Sequence, residues 1–197
     1  MRALPLLTGL LALFGLAACA EADSGASWRL VDDDSRISFV SIKAGDVAES
    51  HYFTEIDGSV GPDGAAAVEI ALASVETKVD IRNERMRDLL FETEQFPTAA
   101  IAAQIDLETI ASLAVGERAL ETVDLTLSIH GADVVAPAAL FVTRLGDDRV
   151  SVETVEPVLL FAEDFGLGDG VAKLREIAGL PSISLAVPVT ASLVFER

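Results

Sequence analysis

The sequence has little cysteine, little histidine and little positive charge. Cys19 is the only cysteine among 197 residues, so no disulfide can form within the chain. The two histidines, His51 and His130, do not form the i, i+4 pair or the HExxH pattern of a zinc site. The chain carries 14 Lys and Arg against 32 Asp and Glu, a formal net charge of −18, which repels a polyphosphate at long range. These shortages argue against a metal centre and against nucleic acid as a partner.

Motifs of covalent and phosphate chemistry are also missing. The sequence has no GxSxG elbow, and the glycine-rich stretch from Gly166 to Gly170 lacks the GxxxxGK[ST] pattern of a phosphate loop. Carboxylates such as Glu92, Glu94, Glu163 and Asp164 fit a solvated surface as well as they fit a pair of general acids. We therefore expect a protein that is not an enzyme, with no catalytic residues, no metal site and no resident cofactor.

A short apolar run opens the chain. Arg2 is followed by residues 3–18, which contain no charged side chain and are too few for a comfortable transmembrane helix of about 20 residues. This pattern is typical of a signal peptide. The run ends in Leu-Ala-Ala-Cys at residues 16–19, which resembles the lipobox of bacterial lipoproteins, where the cysteine is lipidated and becomes the new N-terminus.

These features predict three segments: a signal peptide over residues 1–18, a lipidated N-terminus and tether over 19–27, and a single domain over 28–197. The lipid anchor would be Cys19, and the residue that follows it, Ala20, favours the outer membrane. We expect a periplasmic protein of the bacterial cell envelope that is anchored to the membrane by its lipid. An ordinary cleaved periplasmic protein is the alternative.

Alternating apolar and polar residues predict strands through most of the domain. The clearest case is the segment 122–129, where Val123, Leu125, Leu127 and Ile129 share one face of a strand. About eight such strands, mostly joined by short turns, favour an all-β fold, an eight-stranded antiparallel barrel with one or two short helices. Residues 107–113 fit either a loop or a helical turn.

The stretch 74–97 breaks the strand pattern and is the most distinctive part of the sequence. Asp80 is predicted to cap a short helix, and Phe96-Pro97 prevents the helix from continuing. Its Ser-Val-Glu-Thr, Arg-rich segment, Leu-Phe and Phe-Pro resemble the YceI-like family of lipid- and polyisoprenoid-binding proteins. Together with Cys19, the resemblance suggests a lipoprotein subgroup. The corresponding residues are Ser74 to Thr77, Arg82 to Arg87, Leu90-Phe91 and Phe96-Pro97, preceded by Trp28, Asp32, Ser35 and Phe39 at the start of the domain.

The resemblance implies a lipocalin-like barrel with a long apolar cavity. It predicts non-enzymatic binding (carriage, storage or sensing) of a long apolar lipid such as a polyisoprenoid or an isoprenoid quinone. A barrel of this size can instead be filled by its own side chains, so an envelope structural or interaction lipoprotein is the alternative, with a lipid-modifying enzyme less favoured. A homodimer is compatible with the sequence. The residues expected to line the interior are Phe39, Phe53, Val123, Leu125, Leu127, Ile129 and Phe141.

A cluster of basic residues lies in the predicted helical stretch. Arg82 and Arg85 are three residues apart and would lie on one side of a helix. They could recognise the headgroup of a ligand at the mouth of the barrel. The favoured interpretation is that they pair with nearby acidic residues and hold the helix to the barrel.

Overall fold

The computed structural model describes residues 27–197, and twelve strands in this part of the chain form one antiparallel sheet. The strands follow the alternation of apolar and polar residues noted above. Their bounds are β1 Trp28–Leu30, β2 Arg36–Lys43, β3 Val47–Phe53, β4 Ile56–Val60, β5 Ala65–Ala71, β6 Val75–Glu76, β7 Thr98–Gln104, β8 Arg118–Ile129, β9 Ala132–Gly146, β10 Arg149–Thr154, β11 Val158–Phe161 and β12 Ala186–Glu196.

Eight of these strands close into a ring in the order β1-β4-β5-β7-β8-β9-β10-β12, because β12 pairs back to β1. Each neighbouring pair in the ring is antiparallel. A closed ring leaves no unpaired strand edge and encloses an interior toward which alternate side chains point. The predicted all-β fold, an eight-stranded antiparallel lipocalin-like barrel, is confirmed.

One end of the barrel is extended beyond the ring, and we call it the helix end. There β2 pairs with β12 and β3, β6 pairs with β3, and β11 pairs with β12. The outer strands β6 and β11 lead along the chain into the helices α1, Asp80–Arg85, and α3, Gly168–Ile177. The helix end is therefore walled by strands on one side and by helices on the other.

The longest hairpin, β8 with β9, is joined by His130 and Gly131. Both residues have positive φ, 52° and 78°, which is the signature of a type I′ turn. The turn fixes a register of twelve residue pairs, from Arg118 opposite Thr143 to Ile129 opposite Ala132. This register points the apolar face of β8 into the barrel.

Three short α-helices occur among the described residues. α1 continues into a π-helical turn, Met86–Leu90, and α2, Leu107–Ser112, occupies the segment that fitted either a loop or a helical turn. The prediction that Asp80 caps the first helix is wrong, because Val79 takes the capping position and Asp80 is the first helical residue. None of the helices in residues 27–197 has the length and apolar character needed to cross a membrane.

Helix α3 packs directly on the π-helical turn through Gly170. A Cβ atom at Gly170 would lie 2.8 Å from the carbonyl oxygen of Leu89 and 2.9 Å from the Cα of Leu90, whereas one at Gly168 would meet only the Cγ of Glu163 at 3.5 Å. The close approach at Gly170 is to backbone atoms, which cannot rotate away. Any larger side chain must separate the two helical segments.

We expect Gly170→Ala to lower the free energy of unfolding by about 1–3 kcal/mol, the usual cost of overpacking. Gly168→Ala, two residues earlier in the same helix, is the matched control and should be neutral or stabilise by up to about 1 kcal/mol. Urea denaturation followed by circular dichroism measures both values. Equal effects of the two substitutions would show that the contact between α3 and the π-helical turn is not tight.

Candidate functional site

A cavity of about 450 Å³ occupies the helix end of the barrel. Strands β2 and β3 form one wall, and α1, the π-helical turn and α3 form the opposite one. Most of its lining is aliphatic or aromatic, so water gains few hydrogen bonds inside it. The apolar lining includes Ile37, Phe39, Phe53, Ile70, Leu72, Met86, Leu90, Phe91, Ile101, Leu127, Ile129, Leu160, Phe165, Leu167, Val171, Leu174, Val187 and Val189.

Exposed apolar side chains mark the mouth of this cavity. Val79, Ile81 and Phe161 line the cavity and are also among the large hydrophobic residues most exposed to solvent. A residue that is both exposed and part of the lining must lie where the cavity opens. A long apolar molecule could therefore enter between α1 and β11 without crossing the strand wall.

Polar residues appear in the lining where β2 and β3 approach their connecting turn. On β2 the inward face changes from Ile37 and Phe39 to Ser41 and Lys43. On β3 the inward face changes from Phe53 to His51 and Glu49. The pairing of the two strands sets Phe39 opposite His51 and Ser41 opposite Glu49. The cavity thus has a long apolar part and one polar end.

Glu49 organises the charges of the polar end. Its Oε2 lies 2.6 Å from Lys43 Nζ and accepts a hydrogen bond from Arg82 Nη1 at 2.7 Å. The hydrogen bond from Lys43 is the main reason that the pKa of Glu49 is lowered, and the nearby charge of Arg82 adds to the effect. Arg82 also donates from Nη2 to the carbonyl oxygen of Thr77 at 2.6 Å, which ties α1 to the strand wall.

His51 lies behind these charges and is only 2% exposed. Its Nε2 is 2.8 Å from Ser41 Oγ, while its Nδ1 is buried with no hydrogen-bond partner among the described residues. Its ring packs against Phe39, with the ring centroids 5.2 Å apart. Burial, together with the nearby charge of Arg82, lowers the pKa of His51 from 6.5 to about 4. At neutral pH His51 is therefore an uncharged imidazole.

The depressed pKa of His51 makes folding stability depend on pH. Between pH 6.5 and about 4 the unfolded chain binds a proton at His51 and the folded protein does not, so acid favours the unfolded state. The stabilisation is complete above pH 6.5 and should fall by about 3 kcal/mol as the pH drops to 4. The charged groups that act on the ring are Arg82, Glu49, Lys43 and Lys78.

Denaturant titrations of wild type and His51→Phe between pH 7 and 4 test this prediction. Groups other than His51 contribute equally to both proteins, so the difference between the two curves isolates the imidazole. The wild type should lose more stability than the variant. Parallel curves for wild type and His51→Phe would contradict the buried, neutral state of His51.

The distinctive stretch after β5 builds the support for this site. Ser74 Oγ accepts hydrogen bonds from the backbone nitrogens of Thr54 and Glu55 at 3.2 and 3.1 Å, which secures the break between β3 and β4. The buried side chain of Asn83 accepts a hydrogen bond from the backbone nitrogen of Thr77 at 2.8 Å and fixes α1 to β6. These polar residues thus position the helix that carries Arg82.

The structure brings most of the predicted interior residues into two cavities. Phe39, Phe53, Leu127 and Ile129 line the large cavity, and so do Arg82 and Arg85. Arg82 forms an ion pair with Glu49 on β3, which fits the interpretation that the arginines pair with nearby acidic residues and hold the helix to the barrel. Val123 and Leu125, further along β8, line a second and smaller cavity of about 90 Å³.

Phe141 needs correction, because it does not point into the barrel. Its neighbours Leu140 and Val142 are buried on the inner face of β9, so Phe141 lies on the outer face. There its ring lies under the guanidinium of Arg118, 4.1 Å from the ring centroid. The expectation that Phe141 lines the interior is therefore wrong, because side chains alternate along β9 and Phe141 lies on the face opposite Leu140 and Val142.

Cys19 and the segment 1–18 lie outside the described residues.

Two parts of the site were missed by the sequence analysis. His51 was considered only as a metal ligand, although its spacing of two residues from Phe53 places both on one face of β3. The helical side of the lining, from Met86 and Leu90 on one segment to Val171 and Leu174 on another, depends on long-range packing that periodicity does not reveal. In residues 27–197 no group of three or more His, Cys, Asp or Glu side chains is arranged to hold a metal ion.

Comparison with known proteins adds three findings. The family described as the YceI-like domain matches residues 28–195. A polyisoprenoid-binding domain from Saccharophagus degradans, described as implicated in plant cell wall breakdown, superposes with a TM-score of 0.85 at 40% identity, covering 86% of this chain and 98% of that one. BcnA of Burkholderia cenocepacia superposes with a TM-score of 0.64 at 19% identity over 84% of this chain and 98% of that one, which shows a shared fold. No curated protein matches the chain.

Proposed function

Because the chain belongs to the family of YceI-like domains, we propose that it binds one long apolar lipid inside the barrel and leaves it chemically unchanged. The observation that carries this proposal is the cavity of about 450 Å³ with its apolar lining and its apolar mouth. A barrel filled by its own side chains would leave no such space at the helix end. Carriage, storage and sensing of the lipid all require this binding step.

The proposed ligand class is a polyisoprenoid or an isoprenoid quinone. The structural neighbour from Saccharophagus degradans, 40% identical to this chain, is described as polyisoprenoid-binding. The branched aliphatic and aromatic lining suits the methyl-bearing chain of a prenyl lipid. Each methylene removed from water contributes on the order of 0.8 kcal/mol, so about ten buried carbons supply about 8 kcal/mol before the cost of ordering the chain.

The side chains at the polar end of the cavity support the proposal that the protein binds a ligand and is not an enzyme. Lys43 and Arg82 both pair with Glu49, and within residues 27–197 the only buried titratable group there, His51, is neutral with its pKa lowered to about 4. The hydroxyl of Ser41 lies 2.8 Å from His51 Nε2, but among the described residues no third group orients the imidazole, because Nδ1 has no hydrogen-bond partner. These groups suit recognition of a polar head better than proton transfer.

For localisation we propose a lipoprotein of the bacterial envelope, tethered through Cys19 on the periplasmic side, with the outer membrane favoured. The apolar run 3–18 before Cys19 supports a signal peptide, and the short segment to residue 27 supplies a tether. Such a tether would hold the barrel near the membrane in which prenyl lipids reside. Light scattering on the Cys19→Ser protein would distinguish a monomer from a homodimer.

Uptake from vesicles tests the binding proposal. Delipidated Cys19→Ser protein is mixed with phospholipid vesicles that contain menatetrenone, the vesicles are removed by flotation, and the quinone that stays with the protein is measured. We expect about one quinone per protein. A protein that takes up no quinone and no polyprenol under these conditions is better described as a scaffold with a collapsed or filled barrel.

A further inference from the structure

The mouth of the large cavity is bordered by apolar side chains that no other part of residues 27–197 covers. Four residues there are each between 43% and 51% exposed: Val79 and Ile81 at the start of α1, Phe161 at the end of β11 and Ile177 at the end of α3. Ile177 is followed by Ala178, which is exposed and lines the cavity, so the end of α3 reaches the mouth. We call the four residues the mouth rim, and their apolar surface continues into the lining of the cavity.

Basic side chains are concentrated beside the mouth rim. The stretch 78–87 carries four basic and two acidic residues, although the chain as a whole has a net charge of −18. Lys78 and Arg85 in this stretch, and Lys173 on α3, have no ion pair within residues 27–197. Lys173 lies four residues before Ile177, so both side chains lie on one side of α3. The surface around the mouth therefore combines exposed apolar groups with cations.

A phospholipid bilayer that contains anionic lipid fits both features. Its negative surface attracts Lys and Arg side chains, and each one near the surface strengthens binding by about fivefold. Apolar side chains of a docked protein enter the boundary between the headgroups and the acyl chains. A prenyl chain that leaves the bilayer under a docked mouth also stays out of water along its whole path, which avoids the cost of hydrating apolar surface.

We propose that the mouth rim docks on the surface of a bilayer that contains anionic phospholipid, and that the lipid ligand passes directly between the bilayer and the cavity. The docking rests on the exposed side chains alone, and the transfer rests on the proposed function. Trp28 and Phe195 line the small cavity, so the described chain begins at the end of the barrel away from the mouth. Docking therefore does not need a lipid anchor at Cys19.

Flotation of delipidated Cys19→Ser protein with vesicles that hold no quinone tests the docking. Vesicles of phosphatidylcholine with about one-third phosphatidylglycerol are compared with vesicles of phosphatidylcholine alone. The anionic vesicles should bind the protein about tenfold more tightly, as expected for two or more basic side chains at the surface. Raising the salt from about 0.05 M to about 0.5 M should remove most of this difference, because salt screens exposed charges.

Ile177→Asp is the decisive variant, because Ile177 is exposed on the mouth rim and does not line the cavity. Loss of one inserted aliphatic side chain should weaken binding to the vesicles by about tenfold. Lys173→Glu should lower the preference for anionic vesicles by at least about fivefold. Val135→Asp is the matched control, since Val135 is 63% exposed on the outer face of β9 and lines neither cavity. It should bind vesicles as the Cys19→Ser protein does.

Delivery of menatetrenone by two routes separates docking from ligand binding. From anionic vesicles, Ile177→Asp should take up the quinone about tenfold more slowly than the protein without this substitution. From dilute detergent, both proteins should reach about one quinone per protein, because the cavity is unchanged. Failure to bind vesicles, binding that does not depend on phosphatidylglycerol, or equal losses in Ile177→Asp and Val135→Asp overturns the docking, while uptake from detergent keeps the proposed function. Failure to take up quinone from either source overturns the proposed function itself.

Discussion

Protein with Leu127→Arg should be recovered from a membrane-bearing host without lipid, whereas the wild type carries it through purification. Leu127 is 5% exposed and lies in the wall of the large cavity, opposite Ile101 on β7. A guanidinium at this position has no acidic partner in the apolar lining. Burying an unpaired charge against an apolar chain costs several kcal/mol, so we expect a loss of affinity of at least about a hundredfold.

The neighbouring residue provides the matched control. Thr126 precedes Leu127 on the same strand, and its side chain points outward and is exposed. Thr126→Arg introduces the same charge on the other face and should leave the lipid content and the β-type circular dichroism unchanged. Extraction into organic solvent followed by mass spectrometry measures the lipid in each protein. Equal lipid in the two variants would place the ligand outside this cavity.

A second substitution separates loss of binding from loss of folding. Ile129 lies on the same face of β8, is only partly buried, and lines the large cavity. Ile129→Trp adds volume into open space, so its cost in stability should stay below about 3 kcal/mol while it occupies part of the space for the ligand. We expect a folded barrel with reduced lipid. If this variant retains full lipid content, the chain does not pass Ile129.

The second large effect concerns the membrane anchor. Expressed with its own N-terminal segment in a Gram-negative host, the protein should partition into the detergent phase, and Cys19→Ser should move it to the soluble periplasmic fraction. The physical reason is that two acyl chains bury enough methylenes to hold a protein on a membrane, while a cleaved soluble chain has nothing comparable. Phase partitioning and N-terminal mass analysis together measure the change.

The matched control for this experiment is Ser24→Ala, which changes a residue of the tether and leaves the lipobox sequence intact. It should partition as the wild type does. A wild-type protein that is already soluble and begins beyond Cys19 would contradict the anchor. The binding proposal would be untouched by that result, because it rests on a cavity described within residues 27–197.

Much of the fold could be predicted because it depends on local chemistry. The period of two along β8 sets the inward face of Val123 to Ile129, and His130-Gly131 provides the turn that fixes its register with β9. The stretch 74–97 shows where a helical segment interrupts the series of strands. Closure of the sheet through pairing of β12 with β1 depends on residues more than 160 positions apart. The number of strands and the family resemblance both favour a barrel, but no local pattern shows this pairing.

The site was less predictable, since it depends on which elements meet. Phe141 was placed inward by residue type, but the pairing of β9 puts it against Arg118 on the outside. His51 had no partner that its own neighbourhood could reveal, because Ser41 and Phe39 reach it across a hairpin. The division of the interior into a larger and a smaller cavity, with Leu127 beside one and Leu125 beside the other, follows from packing that no single strand encodes.

Native mass spectrometry of the wild-type protein, purified without added lipid from a membrane-bearing host, tests the central claim most directly. The account predicts a native mass that exceeds the mass of the same protein after denaturation, which includes any covalent lipid, by one prenyl lipid at about one per barrel, and the release of that prenyl lipid by organic solvent. A barrel that carries no lipid, and that also gains no mass after incubation with menatetrenone or a polyprenol, would contradict it.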